Sequence, residues 1–193
     1  AEASGMASVV DLAKNMGETD IGCGESCDSL GLAIGSGTVR LDEHTAAYAT
    51  LARGGVSKPE TYVLKIEKSN GEIVQEWKDT PGTKTMGEKG EEISYLVSDI
   101  LADDKARRVT FGNPVGFNPK GVKAAVKTGT TDNSKDGWMM GYSPKLAVGI
   151  WVGRSDGTVM NSTTHLQTGP MFGDFMARAH AEVMTKPQYG YKA

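Results

Sequence analysis

The stretch Lys127-Thr128-Gly129-Thr130-Thr131 gathers an ammonium, three hydroxyls and a residue without Cβ where the apolar run Ala124-Ala125-Val126 stops. Lysine and threonine can hold a carboxylate, and Gly129 lets a ligand or a second backbone come close. Backbone N–H groups past the glycine can point at an oxyanion. The same residues also make an ordinary polar strand end, and the tripeptide Lys-Thr-Gly alone does not separate the two. Elsewhere the reactive residue types are dispersed. His44, His165 (in a polar loop) and His180 share no ligand spacing, so no metal site is expected. Gly22-Cys23-Gly24 and Gly35-Ser36-Gly37 lack the strand and helix context of a nucleotide-binding loop, and no cofactor is expected. Ser134 beside Lys135 and Ser143 near Lys145 fall in expected turns, without the spacing that pairs a nucleophile with its base.

Cys23 and Cys27 lie in the run GCGESCD. Two thiolates with no histidine nearby make an incomplete zinc site. A short-loop disulfide, which would suit an oxidising compartment, and two free thiols are both open readings.

The elements that must position the Lys-Thr-Gly stretch follow from periodicity. The 193 residues are 38% apolar and 23% charged, enough for one packed domain. The formal charge of −3 and the scattered cations do not call for nucleic acid. No apolar run approaches the roughly 20 residues of a membrane span, and no signal-peptide pattern opens the chain. Residues 3–16 read as a helix with Met6, Val9, Val10, Ala13 and Met16 on one face and Gly17 as its stop. The chain begins almost inside this helix, so Ala1 is not expected to be a natural start. A second helix is expected over 41–53, capped by Thr38 and ended by Gly54-Gly55, with Leu41, Thr45, Tyr48, Leu51 and Ala52 as its stripe. Residues 61–66 and 72–77 flank Asn70-Gly71 as a hairpin. Residues 79–90 form a polar linker. A third helix over 91–107 puts Ile93, Leu96, Val97, Ile100 and Leu101 on one face. A loop over 111–121 leads to three strands between Val122 and Gly153, whose short turns make them antiparallel. Gly169-Pro170 opens a last helix with Pro170 in its first turn and Met171, Phe172, Phe175, Met176, Ala179 and Val183 buried. No internal repeat is present. The fold class is α+β, an antiparallel sheet flanked by helices.

Longer matches surround the Lys-Thr-Gly stretch. Lys127-Thr128-Gly129-Thr130-Thr131, then Asp136-Gly137-Trp138, Gly141-Tyr142-Ser143-Pro144 and Gly149-Ile150-Trp151-Val152-Gly153, closely resemble the transpeptidase domain of class A penicillin-binding proteins. Ser29 to Gly37 and Ala46 to Gly55 are similar to the segment that such enzymes carry between their second and third motifs. The Asn70-Gly71 hairpin, Arg108 with Phe111-Gly112, and Gly169-Pro170 with the final helix also fit. The resemblance covers nearly the whole chain and implies a β-lactamase/transpeptidase-like fold. It further implies a division into a transpeptidase portion, 1–185, with a hairpin insertion near 61–77, and a tail, 186–193.

The departures are as informative. Ser-x-x-Lys and Ser-x-Asn, which supply the family's acylated serine, its lysine base and its proton shuttle, occur nowhere in the 193 residues. By resemblance both would lie upstream of Ala1, making this the C-terminal part of an incomplete domain that needs an upstream half. The resemblance implies that Lys127 lends positive potential to the nucleophile, and that Thr128 and Thr130 hold the carboxylate of a D-Ala-D-Ala stem peptide or a β-lactam. It also implies that the Thr130 N–H is an oxyanion donor, that Gly129 keeps the edge open, and that Thr131 joins the substrate-binding set. Trp138 is expected to pack behind the site. The parent would be an extracytoplasmic peptidoglycan D,D-transpeptidase, membrane-anchored and bifunctional with a glycosyltransferase domain. The alternative is a non-catalytic fragment or interaction module that needs a partner half. A β-lactamase is disfavoured, because no deacylating carboxylate motif is present.

Overall fold

The computed structural model describes residues 5–22, 30–113, 116–160 and 164–183. The expectations on Cys23, Cys27, Ser29 and the tail from 186 lie outside these residues. At the centre is a three-stranded antiparallel sheet of β5 (Ala125–Thr130), β6 (Asp136–Tyr142) and β7 (Ala147–Gly153), in the order β5-β6-β7. The register pairs Gly129 with Trp138 and Lys127 with Met140, then Met140 with Gly149. Strand alternation sends Val126, Met139, Val148 and Ile150 to one face, against helix α5 (Thr164–Arg178). There Phe117, Phe172 and Met176 close the core. The opposite face, with Met140 and Tyr142, receives α2 (Leu41–Ala52) and α3 (Gly90–Leu101). Helices thus flank an antiparallel sheet on both faces, as the periodicity implied.

Helix α1 (Met6–Met16) packs on α2, stops at Gly17 as expected, and receives the buried Thr50 hydroxyl at its Met16 carbonyl, 3.0 Å away. Thr38 does not cap α2. Its hydroxyl donates to the Gly22 carbonyl at 3.2 Å, and the extended Arg40 occupies the cap. The expected hairpin forms as β2 (Lys65–Glu67) and β3 (Ile73–Glu76), shorter than the pattern and exposed on both faces. It stands on a two-residue pairing of β1 (Val56–Ser57) with β4 (Thr83–Lys84), so the expected polar linker contains a strand.

The run 91–107 is two helices instead of one, α3 and α4 (Asp104–Phe111), because Asp103 turns out of helix and its carboxylate caps α4 through Lys105 N and Ala106 N. Within α3 the buried positions are Gly90, set against Met86 and the Gly54-Gly55 end of α2, and Ser94, which bonds Met86 Sδ, while Ile93, Leu96 and Ile100 are exposed. The helix reaches the sheet through Ser98, whose Oγ lies 2.8 Å from the Tyr142 hydroxyl. Helix α5 begins at Thr164, leaving Pro170 interior and His165 in a helix instead of a loop. Burial of Thr168 and Gly169 carries the helix through the missing N–H. Gly116, at φ 86, presses so closely on the Gly169 carbonyl that a Cβ there would collide with it. Phe172, Met176 and Ala179 are buried as expected, but Met171 and Phe175 are exposed, at 53% and 54%.

Candidate functional site

Alternation along β5 fixes what each residue of the Lys-Thr-Gly stretch can reach. Lys127 and Gly129 share the face of Trp138, and Thr128 and Thr130 share the α5 face. Thr131 N–H donates to the Asp136 carbonyl at 3.3 Å. In an antiparallel ladder inward and outward amides alternate, so Thr130 and Thr128 direct their N–H groups to the outer side of β5. Among the described residues no strand lies on that side. The outer edge therefore carries two outward amides, two threonine hydroxyls and a lysine within four residues. Lys127 is exposed, and its Nζ donates to the Thr128 carbonyl at 2.5 Å.

Gly129 answers to close packing. A Cβ there would lie 3.2 Å from Trp138 Cβ, so the strand is flush against the indole stem. Trp138 is half-buried, with its ring 6.1 Å from His44 in an edge contact, and it packs behind the edge as expected. His44 in turn bonds Glu18 at 2.5 Å and meets Tyr48. Burial, reinforced by the Glu18 charge, pushes the Tyr48 phenol up to about 12. Burial also raises Tyr142, against the pull of its Ser98 hydrogen bond. These aromatics form a wall behind β5.

The structure brings Lys127, Thr128, Gly129 and Thr130 together on one edge. Thr131 differs: its hydroxyl donates to Asp136 Oδ1 at 2.5 Å, inside the hairpin. Sequence reasoning met Asp136 only as part of a matching segment and gave it no role; its other oxygen accepts from Trp151 Nε1 at 3.0 Å. No spacing rule announces that pair, because it forms on a diagonal between neighbouring strands. The histidines stay apart. His44 lies against Glu18, His165 meets Phe111 in an edge contact, and His180 bonds Ser143 Oγ at 2.8 Å. His180 Nδ1 donates to the Met176 carbonyl, leaving Nε2 to accept from the serine hydroxyl. Ser143 Oγ also accepts from the Lys145 and Leu146 amides, which fixes it as a turn residue.

A scan against protein-family models matches none. Among curated proteins, penicillin-binding protein 1A of Mycobacterium tuberculosis is 32% identical over 134 residues, 66% of this chain and 15% of that protein. Penicillin-binding protein 1A of Rickettsia conorii is 28% identical over 209 residues, covering 100% of the chain and 26% of the relative. Among solved structures, the penicillin-binding protein PonA1 of M. tuberculosis superposes with a TM-score of 0.67 at 24% identity, over 86% of this chain and 48% of PonA1. Penicillin-binding protein A of M. tuberculosis, solved as an imipenem acyl-enzyme, gives 0.65 at 18%, over 86% and 41%. The chain thus spans about a quarter or less of these curated relatives and under half of the solved chains. With relatives of one name along the whole sequence and their fold in the structure, the chain is a portion of the transpeptidase domain of the class A penicillin-binding protein family.

Proposed function

We propose that the outer edge of β5 is the substrate-binding wall of a peptidoglycan D,D-transpeptidase that β-lactams also acylate. One observation carries the reading: Lys127, Thr128 and Thr130 line up on a strand edge whose outward amides include that of Thr130. The names of the relatives support the same assignment. The threonine hydroxyls hold the terminal carboxylate of a D-Ala-D-Ala stem peptide, or the carboxylate of a β-lactam. Lys127 adds positive potential beside the nucleophile. The Thr130 N–H faces the carbonyl oxygen as it gains charge, and a donor so placed contributes about 3 kcal/mol to the barrier reduction. Thr131 supports this set from the hairpin.

The bond-making groups come from outside these 193 residues, which contain neither Ser-x-x-Lys nor Ser-x-Asn. A serine supplied by another portion of the same domain attacks the stem peptide, D-alanine leaves, and an amine on a neighbouring strand takes the acyl group. The whole protein works outside the cytoplasm on a membrane anchor, alongside a glycosyltransferase domain. No helix among the described residues is long and apolar enough to cross a membrane.

The test is covalent labelling by a fluorescent penicillin, read by mass spectrometry. The chain alone is expected to stay unlabelled. Joined to a preceding polypeptide that bears Ser-x-x-Lys, it is expected to support acylation on that serine, and Lys127→Ala to slow it. Label on the isolated chain, or acylation indifferent to Lys127, overturns the reading.

A further inference from the structure

The bracket around Asp136 bears directly on the candidate oxyanion donor. Thr131 Oγ1 donates to Asp136 Oδ1 at 2.5 Å, and the Asp136 N–H returns a bond to Thr131 Oγ1 at 3.1 Å. The second carboxylate oxygen takes the Trp151 indole N–H at 3.0 Å. Gly153 is the register partner of Asp136, and a Cβ on it would strike the Trp151 ring and lie 3.0 Å from Asp136 Cβ. Glycine there clears the path along which the indole reaches the carboxylate. Three strands are therefore tied at one end by one side chain.

That end is where β5 stops. Thr131 follows Thr130 directly, and the turn beyond it runs through left-handed backbone at Asn133 (φ 58) and Ser134 (φ 53). Such conformations are disfavoured for residues with a Cβ and persist when surrounding contacts over-determine them. The Asp136 bracket supplies those contacts on the strand side, and the Met160 N–H donates to the Ser134 carbonyl at 3.0 Å on the other. Loosening the bracket lets Thr131 swing and turns the Thr130 amide off its line.

We propose that Asp136 is a positioning residue, holding the Thr130 amide in its outward orientation through Thr131 with Trp151 as its brace. This rests on the substrate-wall reading above. Asp136 touches no ligand in this scheme and acts only by where it keeps the backbone. Thr131 belongs to the same device, and its hydroxyl faces the carboxylate instead of a substrate.

The experiment uses the whole protein carrying this chain. Acylation by a fluorescent penicillin is followed at rising concentration, which separates noncovalent binding from the acylation rate constant. Trp151 is 42% exposed, so Trp151→Phe removes the N–H while keeping an aromatic ring at a position outside the core. Asp136→Ala is expected to lower the rate constant on the order of 10²-fold, the usual effect of an ångström-scale misplacement, with noncovalent binding retained. Trp151→Phe is expected to lower it less. Asp136→Asn, which still accepts from the indole and can donate to Thr131 Oγ1, is expected to recover most of the rate. Parental rates in both Asp136→Ala and Trp151→Phe overturn the proposal, and so does a loss confined to noncovalent binding or one that Asn does not restore. Lys127→Ala separates the two readings. If it acylates at the parental rate, the substrate wall itself is wrong. If it is slow while the Asp136 and Trp151 variants are not, only the positioning role fails.

Discussion

Gly141 sits next to last in the central strand, facing α5, and replacing it with alanine is a quantitative test of how tightly the sheet packs on that helix. Its φ is not in the left-handed region, so an alanine backbone fits. Space is what is missing. A Cβ would lie 2.5 Å from Phe172 Cζ, 2.7 Å from Cε2 and 2.9 Å from the Ala125 carbonyl oxygen. Carbon–carbon contacts settle near about 3.5–4.0 Å, so the ring must retreat by roughly 1 Å. Phe172 is fully buried among Met139 and Met176 and has nowhere to retreat, and the Ala125 oxygen is main chain. Overpacking of this kind costs about 1–3 kcal/mol, and Gly→Ala returns about 0.4–1 through the unfolded chain. The net loss is roughly 1–2 kcal/mol, or about 2–8 °C in Tm for a chain of this size. Urea unfolding followed by circular dichroism reads it. Phe172→Ala alone is expected to cost about 3–5 kcal/mol. In the double variant the new methyl occupies vacated space, so the losses should fall short of their sum by about 0.5 kcal/mol or more. Undiminished stability in Gly141→Ala, or strict additivity in the double variant, refutes the packing argument.

Two other predictions concern buried polar groups. Tyr48 is held at about 12 by burial, from 10.0, so above pH 10 the unfolded chain loses its phenolic proton first. The contribution is intact below pH 10 and fades between 10 and 12, by on the order of 2 kcal/mol. Urea midpoints at pH 9 and 11.5 should show a drop that Tyr48→Phe reduces, and equal drops in both proteins would contradict it. Arg107, with only 9% of its side chain exposed, forks to the Leu101 and Phe117 carbonyls and pairs with Asp104 at 3.4 Å. Lysine cannot reproduce that fork, so Arg107→Lys should destabilise by about 1–3 kcal/mol in the same urea assay, and an unchanged midpoint would dismiss the fork.

The central sheet was legible in the sequence because its period of two and its short turns leave one arrangement for Ala125 to Gly153. The place of the candidate edge was legible too, since Lys127, Thr128 and Thr130 are polar residues crowded where an expected strand ends, and β5 does end there. Helix α3 shows where such reasoning stops. Its apolar repeat at Ile93, Leu96 and Ile100 is real, but the helix buries Gly90 and Ser94 against Met86 and the end of α2, where the backbones come too close for a large side chain, and it reaches the sheet through Ser98. Pro170 misled for another reason, as burial of Thr168 and Gly169 just before it overrides a local rule about where prolines sit. The Asp136 bracket was hidden for a different reason. Its partners lie 5 and 15 residues away, and only the register brings an aspartate, a threonine and an indole to one point.

The pairing of Val56 with Lys84 and Ser57 with Thr83 also governs how this chain can change over time. It zips shut the base of the β2–β3 arm, so the arm's ends stay side by side whatever lies between them. Doubling a flexible loop between fixed ends costs only about 0.6 kcal/mol. The segment between Ser57 and Thr83 can therefore lengthen, shorten or be exchanged for another with little penalty to the sheet. Variation in length should gather there, while the stretch from Ala125 to Gly153, whose register ties three strands together, tolerates neither insertion nor deletion.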